Sequence, residues 1–576
     1  MATSTATKGR TSAPSEATDQ PQVKNLLVIM SGVLLGILLG ALDQTIVGPA
    51  MPKIIGELNG FEHYAWVFTA YMLTSTVSVP IFGKLGDMYG RKWFYIGGII
   101  VFLIGSMLCG IATDIWQLIG FRALQGLGGG IMFSNAFTII GDLVPPAERG
   151  RWQGLFGGIW GLASVFGPTA GGYITDYLSW RWVFYVNLPV GLIALAVLLV
   201  TFPNMHYAEA GKKSIDWLGA ATLTAAVCPL LVALSLGGTK DWAWGSVNTL
   251  GMMAVAAVFL GIFLFVESRA KEPIIPLDLF KNRTFTLSVI VVFLTGLGMF
   301  GAVSFIPLFI QAVQGDSATS SGNAVTPMML SLVVSSVICG QLISRTGKYR
   351  VLGIVGMVLL TTGLFLLATM NVDTARWQTI GYMIIMGFGL GIAMPLYTLI
   401  VQNAFPMQRL GVVTSATTFF RSIGGTVGLA LLGSIVNNRF LSQFHTELSA
   451  RSPQVAAQLP AEFTANLTPQ ALVNPAIFDR MREEIAANGV PTSLIPQIIG
   501  AIQGAMKPAL AVATTEAFLI GASTLVIAIV ATAFLKEIPL RKRNDRPAVE
   551  AAEGANPESA QETEGVKEAR QPALMH

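Results

Sequence analysis

Charge is scarce in this chain. Only 12% of its 576 residues are Asp, Glu, Lys or Arg, while 53% are apolar. That charged share is about half of what an ordinary soluble domain carries, and it excludes a soluble enzyme, a nucleic-acid binder and a disordered scaffold. Cysteine is nearly missing too. Cys109, Cys228 and Cys339 each lie in an apolar stretch, where they read as small packing residues and leave no disulfide or metal framework. The four histidines, His63, His206, His445 and His576, fall outside the centres of the apolar runs, which argues against a histidine proton relay. No G-x-x-x-x-G-K-[ST] loop is present to bind ATP. No cluster of His, Cys or paired Asp suggests a membrane-embedded enzyme or sensor, so no catalytic residue and no metal site is assigned.

What the chain has instead is length in its apolar runs. A membrane helix takes ~20 apolar residues, so fourteen of them use ~280 to 320 positions, close to the apolar total. The runs fall near 25–48, 64–83, 94–112, 116–141, 152–175, 181–202, 215–236, 246–267, 284–311, 323–345, 351–370, 377–401, 411–436 and 512–535. An even number puts both termini on one side. The loops on that side carry fifteen Lys and Arg between Lys84 and Arg409, whereas the opposite loops carry four, Lys53, Arg181, Lys240 and Arg376. The positive-inside rule then predicts cytoplasmic termini, with Arg541, Lys542 and Arg543 agreeing, and it also accounts for the net charge of +4.

The expected organisation is a disordered tail (1–24), a six-helix half (25–202), an inserted helix pair with its linker (203–283), a second six-helix half (284–536) and a disordered tail (537–576). The polar connection 437–511 is expected to be external and partly helical, for example over Pro475–Ala487; it carries a sequon at Asn466 and Thr468. An internal repeat supports the two halves. Gly83-Lys84-Leu85-Gly86 and the following Gly90-Arg91 recur, 257 residues on, as Gly340-Gln341-Leu342-Ile343 and Gly347-Lys348, with Gly, Leu, Gly and a basic residue in register. Gly126, Gly128 and Gly130 recur 261 residues on as Gly387, Gly389 and Gly391, followed by Pro145 and Gly150 against Pro406 and Gly411. Two parallel six-helix halves explain both matches.

Several residues stand out chemically. In Gly83-Lys84-Leu85-Gly86-Asp87-Met88-Tyr89-Gly90-Arg91-Lys92 the glycines allow close helix approach and a turn. Asp87 can accept from a nearby helix N-terminus, and Arg91 and Lys92 hold the cytoplasmic side. Such a loop latches the halves together, beyond the needs of a simple positive anchor. Asp43 and Arg122 are ionisable residues inside apolar runs, each costing ~2.5 to 3.5 kcal/mol unless paired. Asp43 is read either as a proton carrier or as a structural hydrogen-bonded acid. Arg122 is read either as a cation moving between carboxylates while keeping its own proton or as one fixed on backbone carbonyls. Gly154, Gly157, Gly158, Gly161, Gly167-Pro168 and Gly171-Gly172 leave one face of the fifth span nearly bare, for tight packing and a bend at Pro168. Arg421 is a candidate partner for Asp43 or for anionic substrate groups. Glu516, at the start of the last span, is a candidate cation attractor, a second proton carrier or simply interfacial.

These motifs carry a resemblance. The loop Gly83–Lys92 resembles the cytoplasmic signature of the major facilitator superfamily, in which the acid and the Arg act in gating. Leu42–Pro52 is similar to the first-helix signature of its fourteen-span drug:proton antiporters, departing at Gly48 and Met51. Arg122–Gly129 resembles the fourth-helix motif, whose Arg is implicated in proton coupling. The Gly-Pro pattern of the fifth span resembles the signature of antiporters, with Ala163 at one position that is typically Gly, and Trp180–Gly191 is similar to the start of the sixth helix in the same branch. The resemblance implies an all-α major facilitator fold of fourteen transmembrane helices, two six-helix halves plus an inserted pair. It also implies proton-coupled efflux of lipophilic, often cationic compounds by alternating access. Proton-coupling roles are then expected for Asp43 and Arg122, and for Arg421 and Glu516 as buried ionisable residues that no strong motif marks; export of an endogenous lipid or glycolipid is the alternative. The expected partners are a small lipophilic substrate, protons and the bilayer of the plasma (inner) membrane; no cofactor beyond the proton gradient and no nucleic acid is implied, and a monomer suffices.

Overall fold

A computed structural model describes residues 26–58, 63–202, 214–237, 242–315, 318–458, 467, 469, 472, 475–487 and 494–540. The two tails with Arg541, Lys542 and Arg543, Lys212 and Lys213 of the linker, Lys240 and the sequon at Asn466 and Thr468 lie outside the described residues.

The described residues form helices and no strand. In order they are α1 (Leu26–Glu57), α2 (Tyr64–Tyr89), α3 (Arg91–Ile111), α4 (Ile115–Leu143), α5 (Pro146–Tyr177), α6 (Trp182–Tyr185), α7 (Asn187–Thr201), α8 (Trp217–Leu236), α9 (Val247–Glu267), α10 (Arg283–Ala312), α11 (Ala318–Thr346), α12 (Arg350–Ala368), α13 (Arg376–Ala404), α14 (Leu410–Arg451), α15 (Pro453–Gln458), α16 (Pro475–Ala487) and α17 (Ile495–Ala533). The helix starts are written locally. Asp114 accepts from Trp116 N and Gln117 N at the start of α4, and Asn282 accepts from Thr284 N and Phe285 N at the start of α10.

Among the described residues thirteen helices are long and apolar enough to cross a membrane. The α5 helix is not one of them. At 32 residues it has the length, but its glycines and polar residues dilute its hydropathy, so fourteen spans are not established by composition. Burial orders the helices. In the most apolar stretch of α13, 78% of residues are buried, and of α4, 72%; in α9 the share is 17%, with Val247, Val258 and Phe265 exposed. Thus α4 and α13 are central, and the inserted pair is peripheral, its large apolar side chains directed at the bilayer.

The repeat reappears as packing. A Cβ on Gly126 would meet Tyr71 and Thr74 of α2, and one on Gly387 would meet Met328 and Ser331 of α11, the positions 257 residues on. Gly130 against Ser75 and Ser78 repeats in the same way as Gly391 against Leu332 and Ser335. The α2–α4 crossing of the first half is therefore the α11–α13 crossing of the second, both allowed by glycine's missing side chain.

The structure revises the polar connection 437–511. The thirteenth span continues as helix to Arg451, so α14 has 42 residues, and α17 begins at Ile495, well before the expected 512. Polar residues end the apolar window at 436, but Phe440, Phe444 and Leu448 keep a four-residue spacing and are buried, in one core with Phe478, Met481 and Ile485 of α16 and Ile495, Ile499 and Ile502 of α17. The α14 extension of 15 residues past 436 projects ~22 Å at 1.5 Å per residue. The helix expected at Pro475–Ala487 is present with those bounds.

Candidate functional site

The centre of the first half is built around Asp43. Its carboxylate sits on α1 at 0% exposure and has three side-chain donors. Arg122 Nη1 lies 2.7 Å from Oδ2, while Gln125 Nε2 at 2.8 Å and Asn187 Nδ2 at 3.1 Å donate to Oδ1. Arg122 and Gln125, three apart on α4, share one helix face, and Arg122 Nη1 also donates to Gln125 Oε1 at 2.8 Å. Asn187 begins α7 and donates to Ser106 Oγ of α3 at 3.0 Å. The guanidinium lies 4.4 Å over the Tyr71 ring, which supplies a cation–π contact without a second acid. Four helices and a neighbouring ring of α2 thus hold a single carboxylate sealed from solvent. The ion pair survives burial because each Asp43 oxygen is hydrogen-bonded.

A second cluster closes one end of the molecule, the end that carries the basic loops. Asp87, at the end of α2, accepts from Gly411 N at 2.9 Å and Val412 N at 2.8 Å, the first turn of α14 in the other half. A carboxylate on a helix N-terminus is favoured by the unpaired N–H groups and the dipole. Arg91 pairs with Asp87 and with Asp142 of α4, and donates to Thr138 O at 3.0 Å. Gly90 has φ +91°, in the left-handed region that favours glycine, and Lys92 ties α3 to Phe202 O at 2.6 Å. Gly83 stands where a Cβ would strike Ser415. Two further ties run through the α9–α10 linker: Lys84 pairs with Glu272 at 2.5 Å, and Arg409 with Asp278 at 2.6 Å.

The α5 glycines divide into two faces, where one bare face was expected. In the basic-end half of the helix, Gly150, Gly154, Gly157 and Gly161 meet α11 of the second half; a Cβ on Gly154 would lie 2.8 Å from Ser336 O. Further along, Gly167 and Gly171 meet Thr45 and Ile46 of α1, next to Asp43. Pro168 is inside the helix, and a Cβ on Gly172 would find open space. Gln153 of α5 donates to Gln402 of α13 at 3.2 Å, and Gln402 to Phe137 O at 3.2 Å. These inter-half contacts gather at the basic end, so the structure is closed there.

Two expected coupling residues lie apart from Asp43. Arg421 on α14 is not its partner: Arg122 occupies that position, and Arg421 donates to Thr398 Oγ1 of α13 at 3.2 Å. Glu516 does not begin its helix, which starts at Ile495, and it pairs with Arg439 of α14 at 2.8 Å. Sequence reading missed Gln125, Asn187, Ser106 and Asp142. Each is a polar residue inside an apolar helix, the one signal that could have singled them out.

An all-helical bundle with two repeated halves, a buried ion pair and a closable end has the architecture of a membrane carrier. A model described as Major Facilitator Superfamily matches residues 33–429, and the chain belongs to that superfamily. It is 42% identical over 541 residues to the multidrug transporter protein MdtP of Bacillus subtilis, covering 92% of this chain and 97% of that one. It is 41% identical over 498 residues to multidrug resistance protein 3 of the same organism, covering 84% and 96%. The proton:xylose symporter XylE shares the fold, with a TM-score of 0.54 at 11% identity over 90% of this chain and 97% of that one.

Proposed function

We propose that the protein is a proton-coupled antiporter that expels lipophilic compounds, cationic ones among them, across the plasma (inner) membrane. It acts as a monomer of fourteen spans with both termini in the cytoplasm. The observation that carries this reading is the sealed Asp43, whose charge is held by Arg122 of the same half. Protonating Asp43 removes the attraction to Arg122, loosens α1 from α4 and α7, and reaches α5 through Thr45, whose hydroxyl donates to Ala163 O at 2.9 Å. Since α5 also forms the seam with α11, a change at Asp43 is conveyed to the contact between the halves. The Asp87 latch is made only when the basic end is closed. With the basic loops cytoplasmic, the described state is the outward-facing one, and rocking the halves exposes the centre to the other side. The energy comes from the proton gradient.

The test is efflux from cells. Ethidium-loaded cells expressing the protein should lose dye faster than cells without it, and a protonophore should abolish the difference. Equal efflux with and without the protein contradicts the reading. One observation favours a second reading, export of an amphiphilic lipid. A cavity of about 440 Å³ lies between α10 and α14 beside Pro469, lined by Phe305, Leu308, Leu429, Gly433 and Val436 with Ser304 and Asn437, an apolar pocket with a polar edge suited to an acyl chain. Export of a fluorescent phospholipid from vesicles, blocked by Gly433→Trp, would establish it.

A further inference from the structure

The two halves repeat 261 residues apart over α4–α5 and α13–α14, so corresponding positions take equivalent places in the two halves. Trp160 of α5 corresponds to Arg421 of α14, and Phe137 of α4 to Thr398 of α13. The first half therefore presents aromatic rings where the second presents a cation and a hydroxyl. The rings form a wall, with Trp160 and Phe133 centroids 5.8 Å apart and Phe137 and Phe156 5.0 Å apart. Trp160 is half-buried against the first-half core, on the α5 face opposite the exposed Leu162 and Phe166.

Arg421 is eleven residues into α14, ~16 Å from its start, at membrane depth. It is half-buried, whereas Arg122 is sealed. Its side chain donates to the neutral Thr398 hydroxyl. No carboxylate among the described residues is within ion-pair distance: Asp43 is held by Arg122, and Glu516 by Arg439. An uncompensated guanidinium at this depth costs several kcal/mol, and its planar fork suits a bidentate carboxylate.

We infer that Arg421 and Thr398 form the subsite for the acidic group of amphipathic aromatic substrates, whose ring rests on the Trp160–Phe133 wall. The preferred cargo is then a lipophilic organic acid or a zwitterion, while purely cationic compounds gain nothing from this subsite. This inference rests on the export reading above and adds the substrate class.

The test uses the full-length protein in detergent and three labelled probes of one scaffold: 2-naphthoate, methyl 2-naphthoate and 2-naphthylmethylammonium. Equilibrium dialysis should show naphthoate bound at least tenfold tighter than the ester or the ammonium compound. Arg421→Gln should remove that preference, a loss of about ten- to a hundredfold for naphthoate, and leave ester binding in place. Arg421→Lys should restore part of it, and Thr398→Val should weaken naphthoate alone. Equal binding of the three probes by the native protein, or an equal loss of all three in the variants, overturns the subsite. If that happens while ethidium efflux persists, the substrate class is wrong and the export reading stands. If no probe binds and no dye is expelled, both fall.

Discussion

Replacing Asp87 with Asn should open the basic end. The carboxylate accepts two backbone N–H groups at the start of α14, from Gly411 and Val412, and these bonds join the halves only in the closed state. Asn keeps one acceptor oxygen but loses the charge, and with it one charge-assisted hydrogen bond and the attraction to the helix dipole. Together these amount to about 2–3 kcal/mol. Because Arg91 retains Asp142 and Thr138 O, the first half stays folded and the loss falls on the equilibrium between states. A shift of that size changes the closed-to-open ratio roughly 30- to 150-fold. Spin labels at Trp93→Cys and Val351→Cys, at the basic ends of α3 and α12, report the separation of the halves by pulsed electron resonance. The short-distance population should give way to a longer one in Asp87→Asn. An unchanged distance distribution would refute the latch.

Glycine substitutions discriminate packing from pattern. Gly171→Ala places a methyl 2.2 Å from Ile46 O and should abolish transport, whereas Gly172→Ala, with open space before it, should leave transport and melting temperature within error, read by dye efflux and thermal unfolding. At the seam between the halves, Gly340→Ala would set a Cβ 2.3 Å from Gly150 O and should reproduce the widening seen for Asp87→Asn in the same distance measurement. Phe444→Ala in the projecting α14 segment, at 0% exposure, should cost about 3–5 kcal/mol, lowering the melting temperature with faster proteolysis after residue 436. Unchanged protection would mean that this segment packs on nothing. Neutralising the exposed Glu272 and Asp278 together should change the distance distribution far less than Asp87→Asn, since exposed ion pairs contribute little.

Much of this was legible in the chain because the membrane enforces it. Lipid rewards ~20-residue apolar runs and penalises lone charges, so spans, repeat and buried ionisable residues stand out in composition. The pairing of Asp43 with Arg122 was another matter: the two are 79 positions apart, and only packing decides that Arg122, and not Arg421, reaches the acid. Asp87 was readable as an acceptor for a helix N-terminus, yet which helix supplied it was not. The limits of α14 and α17 were misjudged because apolar windows measure fit to lipid; Phe440 and Phe444 are buried against protein beyond it. Gln125 and Asn187 carry no charge, so their only signal was polarity inside an apolar helix, although they complete the shell of Asp43.

The central claim is that Asp43 couples proton and substrate, and reconstituted vesicles test it most directly. With an imposed pH gradient, adding a lipophilic substrate to vesicles of the native protein should evoke proton movement, recorded by a trapped pH dye. Asp43→Asn, in a preparation shown to be folded by its unfolding transition, should still bind the substrate and evoke none. Undiminished proton movement in Asp43→Asn would contradict the account and place the coupling group elsewhere in the bundle.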